Sequence, residues 1–147
     1  MNTPMRLATG FVAGFLSVLA FHQGMAGLLH VLNPPGLGGP ARYSMRPVPP
    51  LGVPAVIDAA FWGGLYGILY AALRPRLGLP GWLCGLLLGL LAVAVLVLVV
   101  APLKHFHPLA AWGAATWVRI LLIHLSWGLG VALLFALLTG IRPLRTA

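Results

Sequence analysis

The side chains able to do chemistry in this sequence are few, and they fall within or at the ends of long apolar runs. His22 and Gln23 sit in the first run, His124 in the last, and Asp58 and Arg119 near the starts of the second and fourth. His30 stands close to the end of the first. Ionisable groups inside a lipid-spanning segment are costly, so where they occur they are default candidates for function. His22 and His124 could coordinate one haem iron from facing helices. Each could equally donate a hydrogen bond to a neighbouring helix, with Gln23 or Ser126 as partners. Asp58 and Arg119 could form an interhelical ion pair, and stranding one member of such a buried pair costs about 3–5 kcal/mol. The competing reading keeps Asp58 at a helix N-terminus for the dipole and lets Arg119 snorkel outward. Asp58, Trp62, Tyr66 and Tyr70 recur at four-residue spacing, which suits a packing stripe more than a ligand pocket. His105 and His107, beside Lys104, could hold a metal ion outside the membrane. Their spacing of two does not place both on one helical face, and no Cys or carboxylate accompanies them.

Known enzyme constellations are missing. Asp58 is the only acid, so no Ser/His/acid set and no pair of carboxylates stands out. No GxxxxGK[ST] or strand-borne GxGxxG occurs. The expectation is a protein without catalysis and without a resident cofactor, haem being the one alternative.

Composition dictates what surrounds these residues. Of 147 residues, 61% are hydrophobic and 7% charged, where a soluble domain carries about a quarter charged. Ten charges cannot coat a water-soluble globule of this size, and a disordered chain needs low hydrophobicity. An integral membrane protein remains, and the mean hydropathy of +1.01 agrees. The net charge of +8 comes from basic residues spread mostly between apolar runs. There they meet anionic lipid head groups rather than nucleic acid. The lone Cys84 excludes an intrachain disulfide and any CxxC motif. It lies in an apolar run and reads as a small buried hydrophobe.

The elements that must position the polar set are four apolar segments, at residues 7–32, 55–73, 79–103 and 112–138. Each is near or above the ~20 residues needed to cross about 30 Å of hydrocarbon as a helix. Helices satisfy their own backbone groups, as lipid demands. The fold class is therefore all-α: a single membrane domain over residues 1–147, a four-helix transmembrane bundle. Prolines punctuate it, Pro75 and Pro80 bracketing the second connection and Pro102 and Pro108 the third, because proline lacks an N–H and restricts its predecessor. The Pro- and Gly-rich loop at 33–54 is expected to be extended and partly mobile.

At ~1.5 Å of rise per residue, His22 lies roughly 15 Å deep and His124 roughly 12–18 Å. Asp58 and Arg119 lie within a turn or two of the outer surface, and His30 at it. The polar groups thus gather in the outer half, and the inner half is nearly all apolar.

The two halves of the chain are alike. Trp62-Gly63 matches Trp127-Gly128, and in that register Gly67 falls on Ala132, Tyr70 on Phe135 and Ala71 on Ala136. Arg74-Pro75 then matches Arg142-Pro143 after a short insertion. Gly10 and Gly14 open the first helix as Gly81 and Gly85 open the third. Each half would be a hairpin, giving two tandem hairpins in parallel orientation. Chance similarity among Leu-, Gly- and Ala-rich helices is the competing account. The stripes Ala59, Gly63, Gly67, Ala71; Gly128, Ala132, Ala136, Gly140; and Gly81, Gly85, Gly89 are expected helix–helix seams. In lipid there is no hydrophobic drive between helices, and small residues supply close van der Waals contact instead.

With the N-terminus inside, Arg6, Arg74, Arg76, Arg142 and Arg145 fall inside, against Arg42, Arg46, Lys104 and Arg119 outside. This weak excess orients both termini to the cytoplasm. The first run continues past the small residues Gly24 and Ala26 to Leu32, which argues for a spanning helix over a cleaved signal.

The layout loosely resembles the YagU-type bacterial inner-membrane proteins. The shared features are Gly10 and Gly14 in the first helix, the loop start Asn33-Pro34-Pro35 and the segment from Gly64 to Tyr70. Gly81-Trp82-Leu83-Cys84-Gly85 and the His124/Trp127 pair complete them. The chain is shorter than that family's members. The resemblance implies a place in a bacterial inner membrane and carries no catalytic residue. The leading expectation is an accessory or homo-oligomeric membrane component, with the bilayer and other membrane proteins as partners, acting through its outer polar cluster. The alternative is a small transporter or proton pathway through Asp58, His22, Arg119 and His124.

Overall fold

A computed structural model describes residues 2–39, 42–105 and 108–140. Four of its helices are long and apolar enough to cross a membrane: α1 (Thr3–Leu32), α2 (Ala55–Leu77), α3 (Gly81–Leu103) and, after the single turn α4 (Pro108–Ala111), α5 (Ala114–Thr139). The Asn2 side chain caps α1 by accepting the Met5 N–H at 3.0 Å, which satisfies one of the orphan donors of a helix start. Two wide π turns interrupt the helices, at Val18–His22 in α1 and Leu96–Val100 in α3.

Several boundaries move from those read in the sequence. α1 begins at Thr3 rather than residue 7, because Asn2 supplies a cap ahead of the apolar run. α2 passes through Pro75 and ends one turn later, at Leu77. Pro75 forfeits only its own N–H near the helix end, and the Arg76 guanidinium covers the Ala72 carbonyl there. Gly78 then stops the helix in the left-handed conformation (φ 61°), which glycine adopts without a Cβ penalty. α3 starts at Gly81 and α5 at Ala114, each two residues after the position expected.

The described residues of the 33–54 connection are also not simply extended. Pro47–Val48 (β1) pairs antiparallel with Val53–Pro54 (β2) around a turn containing Gly52. The loop folds back onto the helices. Tyr43 holds it twice, its hydroxyl donating to the Leu19 carbonyl at 2.9 Å and its backbone N–H to Gln23 Oε1 at 2.8 Å. Leu19 lies in the π turn of α1, where the regular i→i+4 ladder is broken and a carbonyl can take a side-chain donor. Tyr43 itself sits at φ 56°, an uncommon conformation for a bulky residue. Tyr43→Phe should therefore release the loop at a cost of about 1 kcal/mol, the net worth of one hydrogen bond. Faster proteolysis within residues 42–52 would register it, and an unchanged cleavage rate would remove Tyr43 as the latch.

α1 packs on α2, α3 on α5, and α1 also on α5. The closest approaches are glycine against glycine. A Cβ on Gly14 would collide with the Gly63 carbonyl oxygen, and one on Gly67 with that of Gly10. In the other pair of helices, a Cβ on Gly128 would collide with the Gly85 carbonyl, and one on Gly89 would lie 2.6 Å from the His124 carbonyl. Gly14 meets Gly63 in one pair as Gly85 meets Gly128 in the other. Ala132 also lines the second seam, beside Gly85. Ala136 is buried in the core, and Gly81 is buried where it accepts the Tyr70 hydroxyl at 3.1 Å. The centre of the core holds Ala13, Val18, Trp127, Val131 and Phe135, all nearly without exposure. Arg142-Pro143 lies outside the described residues.

Candidate functional site

The loop-capped end of the bundle contains a cavity of about 320 Å³. Helix α1 contributes His22, Gln23, Ala26 and Leu29; the loop contributes Gly39 and Ser44. Ala55 and Val56 come from the start of α2, and Arg119, Ile120 and Ile123 from α5. This volume lies at the small end of the roughly 300–1,000 Å³ typical of ligand pockets, and apolar walls with a few convergent polar groups are the usual lining of such pockets.

Each polar member has a definite local setting. His22 falls at the end of the π turn. Its Nδ1 is buried, with no hydrogen-bond partner among the described residues. The His22 and His124 rings meet edge to face, centroids 5.5 Å apart at 81°. His124 Nδ1 lies 2.8 Å from the Ile120 carbonyl one turn earlier on α5. A carbonyl only accepts, so this contact places the proton on Nδ1 and leaves Nε2 as an acceptor. Haem ligated by both histidines needs the two nitrogens on one axis with the macrocycle between them. Rings in edge-to-face contact leave no such slot.

The interhelical histidine bonds to Gln23 or Ser126 do not form. Gln23 Oε1 is taken by the Tyr43 N–H, and the Ser126 hydroxyl reaches the Phe21 carbonyl at 3.4 Å. Nearby carbonyls, Phe21 in the π turn for Ser126 and Ile120 a helical turn away for His124, take these groups instead. Asp58 and Arg119 make no ion pair with each other. The Arg119 Nη1 donates instead to the Gly38 carbonyl at 2.8 Å, which ties α5 to the loop. Asp58 stays half-buried in the first turn of α2, where the helix dipole favours an anion. His30 is exposed, its Nδ1 2.7 Å from the Gly39 carbonyl. His105 is exposed at φ 55° just beyond α3, and His107 lies outside the described residues. Among the described residues no group of three or more His, Cys, Asp or Glu gathers.

The aromatic stripe on α2 divides. Trp62 is 56% exposed while Tyr70 is buried, since four-residue steps drift around a helix of 3.6 residues per turn. Tyr66 and Tyr70 turn inward to meet Trp127 and Phe135 edge-on. The opposite end of the bundle is also less apolar than the sequence suggested: Arg74 is buried, close to Tyr70 and Cys84. Beneath the histidines the core closes, Ser17 donating to the Trp127 carbonyl at 2.7 Å with neither residue appreciably exposed. Ser44 and Tyr43 were not legible as site residues. Nothing local marks a loop serine or tyrosine that reaches its partner only when the loop folds back.

No protein-family model matches the chain, and neither a curated protein nor a solved structure does.

Proposed function

We propose that this chain is a small polytopic protein of a bacterial inner membrane, with both termini cytoplasmic, that works by binding rather than catalysis. Its site is the cavity under the 33–54 loop, placed in the outer half of the bilayer. It serves there as an accessory or homo-oligomeric component. One observation carries this reading: the neighbours His22 and Gln23 and the distant Arg119 converge on one cavity with a buried and unsatisfied His22 Nδ1. An orphaned buried polar atom is costly, and a bound molecule can satisfy it. The closed core below, around Ser17 and Trp127, favours a dead-ended binding site over a conducting path. The likeness to YagU-type proteins fits the same placement.

Purification in mild detergent followed by mass spectrometry of small molecules tests the reading. The native protein should carry a bound molecule that Ala26→Phe, which fills the cavity, does not. Native protein with nothing bound and unaffected by the filling substitution would defeat it. The preparation should be colourless, and a Soret band would restore the haem alternative. Orientation has its own test. A cysteine replacing the exposed Met45 should react with an impermeant maleimide on intact cells, whereas one at Thr3 should not. The reverse labelling would invert the topology. The native Cys84 is buried and should stay silent.

A further inference from the structure

We propose that the cavity takes a small organic acid, a carboxylate on a short apolar body; this rests on the binding reading above. The lining is rich in donors and holds no acid. Arg119 carries five N–H donors in a planar fork, and among the described residues only the Nη1 bond to the Gly38 carbonyl is used. Gln23, in the lining, spends its Oε1 on Tyr43, and its amide N–H groups are unused among the described residues. Ser44 adds a hydroxyl. His22 Nδ1 supplies a further buried polar atom without a partner. The only acid in the sequence, Asp58, does not line the cavity.

A guanidinium in an apolar pocket with no carboxylate among the described residues of its lining calls for an anion from outside. One guanidinium matches one negative charge, and its fork fits a carboxylate through two parallel N–H···O bonds. The rest of the wall is Ala26, Leu29, Ala55, Val56, Ile120 and Ile123, which suits an aliphatic body. Bonding to Gly38 holds the guanidinium in place before any ligand arrives, so little side-chain freedom remains to be lost on binding.

The test is equilibrium dialysis of the protein in nanodiscs against labelled hexanoate, with protein-free nanodiscs as blank. Saturable binding of hexanoate, with neutral hexanamide at least tenfold weaker, is expected. Arg119→Gln should weaken hexanoate at least tenfold and leave hexanamide unchanged. The hexanoate–hexanamide comparison on the native chain needs no variant, so misfolding of Arg119→Gln cannot obscure it. Equal binding of the amide would overturn the carboxylate assignment and leave the cavity as a binding site. No saturable hexanoate binding, by protein that still co-purifies with a molecule lost in Ala26→Phe, would also overturn it while sparing the broader reading. If no molecule co-purifies and neither probe binds, both fall. Displacement of hexanoate by palmitate built into the nanodisc would assign the acid to the membrane. Undisturbed hexanoate would assign it to the aqueous side, and the carboxylate stands in both cases.

Discussion

Gly67→Ala is expected to destabilise the protein by about 3 kcal/mol, the upper end of the usual cost of overpacking. The added methyl would overlap the Gly10 carbonyl oxygen and lie 3.0 Å from the Gly14 Cα. Both obstacles are backbone atoms on the facing helix, so no rotamer change can relieve the clash. α1 and α2 would have to separate along their whole seam. Separation is damaging in a bilayer because close contact is the attraction between such helices. Unfolding by sodium dodecyl sulfate in mixed micelles would measure the loss. Gly24→Ala is the control: it lies in the same helix as Gly10, with nothing within 4 Å of the added atom. It should be neutral or stabilising, since alanine is the better helix former by roughly 0.5–1 kcal/mol. Equal stability of Gly67→Ala and the native chain would refute the seam.

Trp127→Ala should cost about 3 kcal/mol, the low end of the range for removing a buried aromatic. Trp127 is only 3% exposed. It joins α5 to both helices of the first pair, donating from Nε1 to the Gly14 carbonyl at 3.3 Å and meeting the Tyr66 ring edge-on at 5.8 Å. Its loss leaves a void where three helices meet, and the Gly14 carbonyl keeps only its bond from the Val18 N–H. The low end is appropriate to the membrane placement proposed above, where lipid rather than water is the alternative surrounding, so the transfer contribution shrinks and the cavity contribution remains. Trp62→Ala, on an exposed position of α2, should stay within about 0.5 kcal/mol. The same detergent titration compares the two. Similar losses for Trp62 and Trp127 would show that the tryptophans are not distinguished by burial.

The predictions rest on features of unequal legibility. Four apolar helices could be read directly, because run length and proline placement act locally and leave few alternatives. The glycine stripes could be read in part for the same reason, since a missing side chain is visible wherever it occurs: Gly14, Gly63, Gly67, Gly85, Gly89 and Gly128 stand at close approaches, whereas Gly140 ends α5 with open space around it and makes no seam. Which stripe faced which was not readable, nor was the fate of the polar set. Asp58 and Arg119 have opposite charges and stand near the starts of α2 and α5, yet a carbonyl at Gly38 captured the guanidinium. The π turn at Val18–His22 has no proline or other marker, although it sets the position of His22 and opens Leu19 to Tyr43.

The sequence by itself determined that the chain is helical, how many long apolar helices it has, and that its charged residues are few. Those properties follow from composition and from spacing over one or two turns. Tertiary structure alone decided that the 33–54 loop returns to the bundle, that His22 lies against His124, and that Arg119 and Gln23 share a cavity. Tyr43 reaches Leu19 from 24 residues away and Arg119 reaches Gly38 from 81. Such partners are chosen by where the backbone passes, and a donor bonds the nearest carbonyl whatever residue carries it.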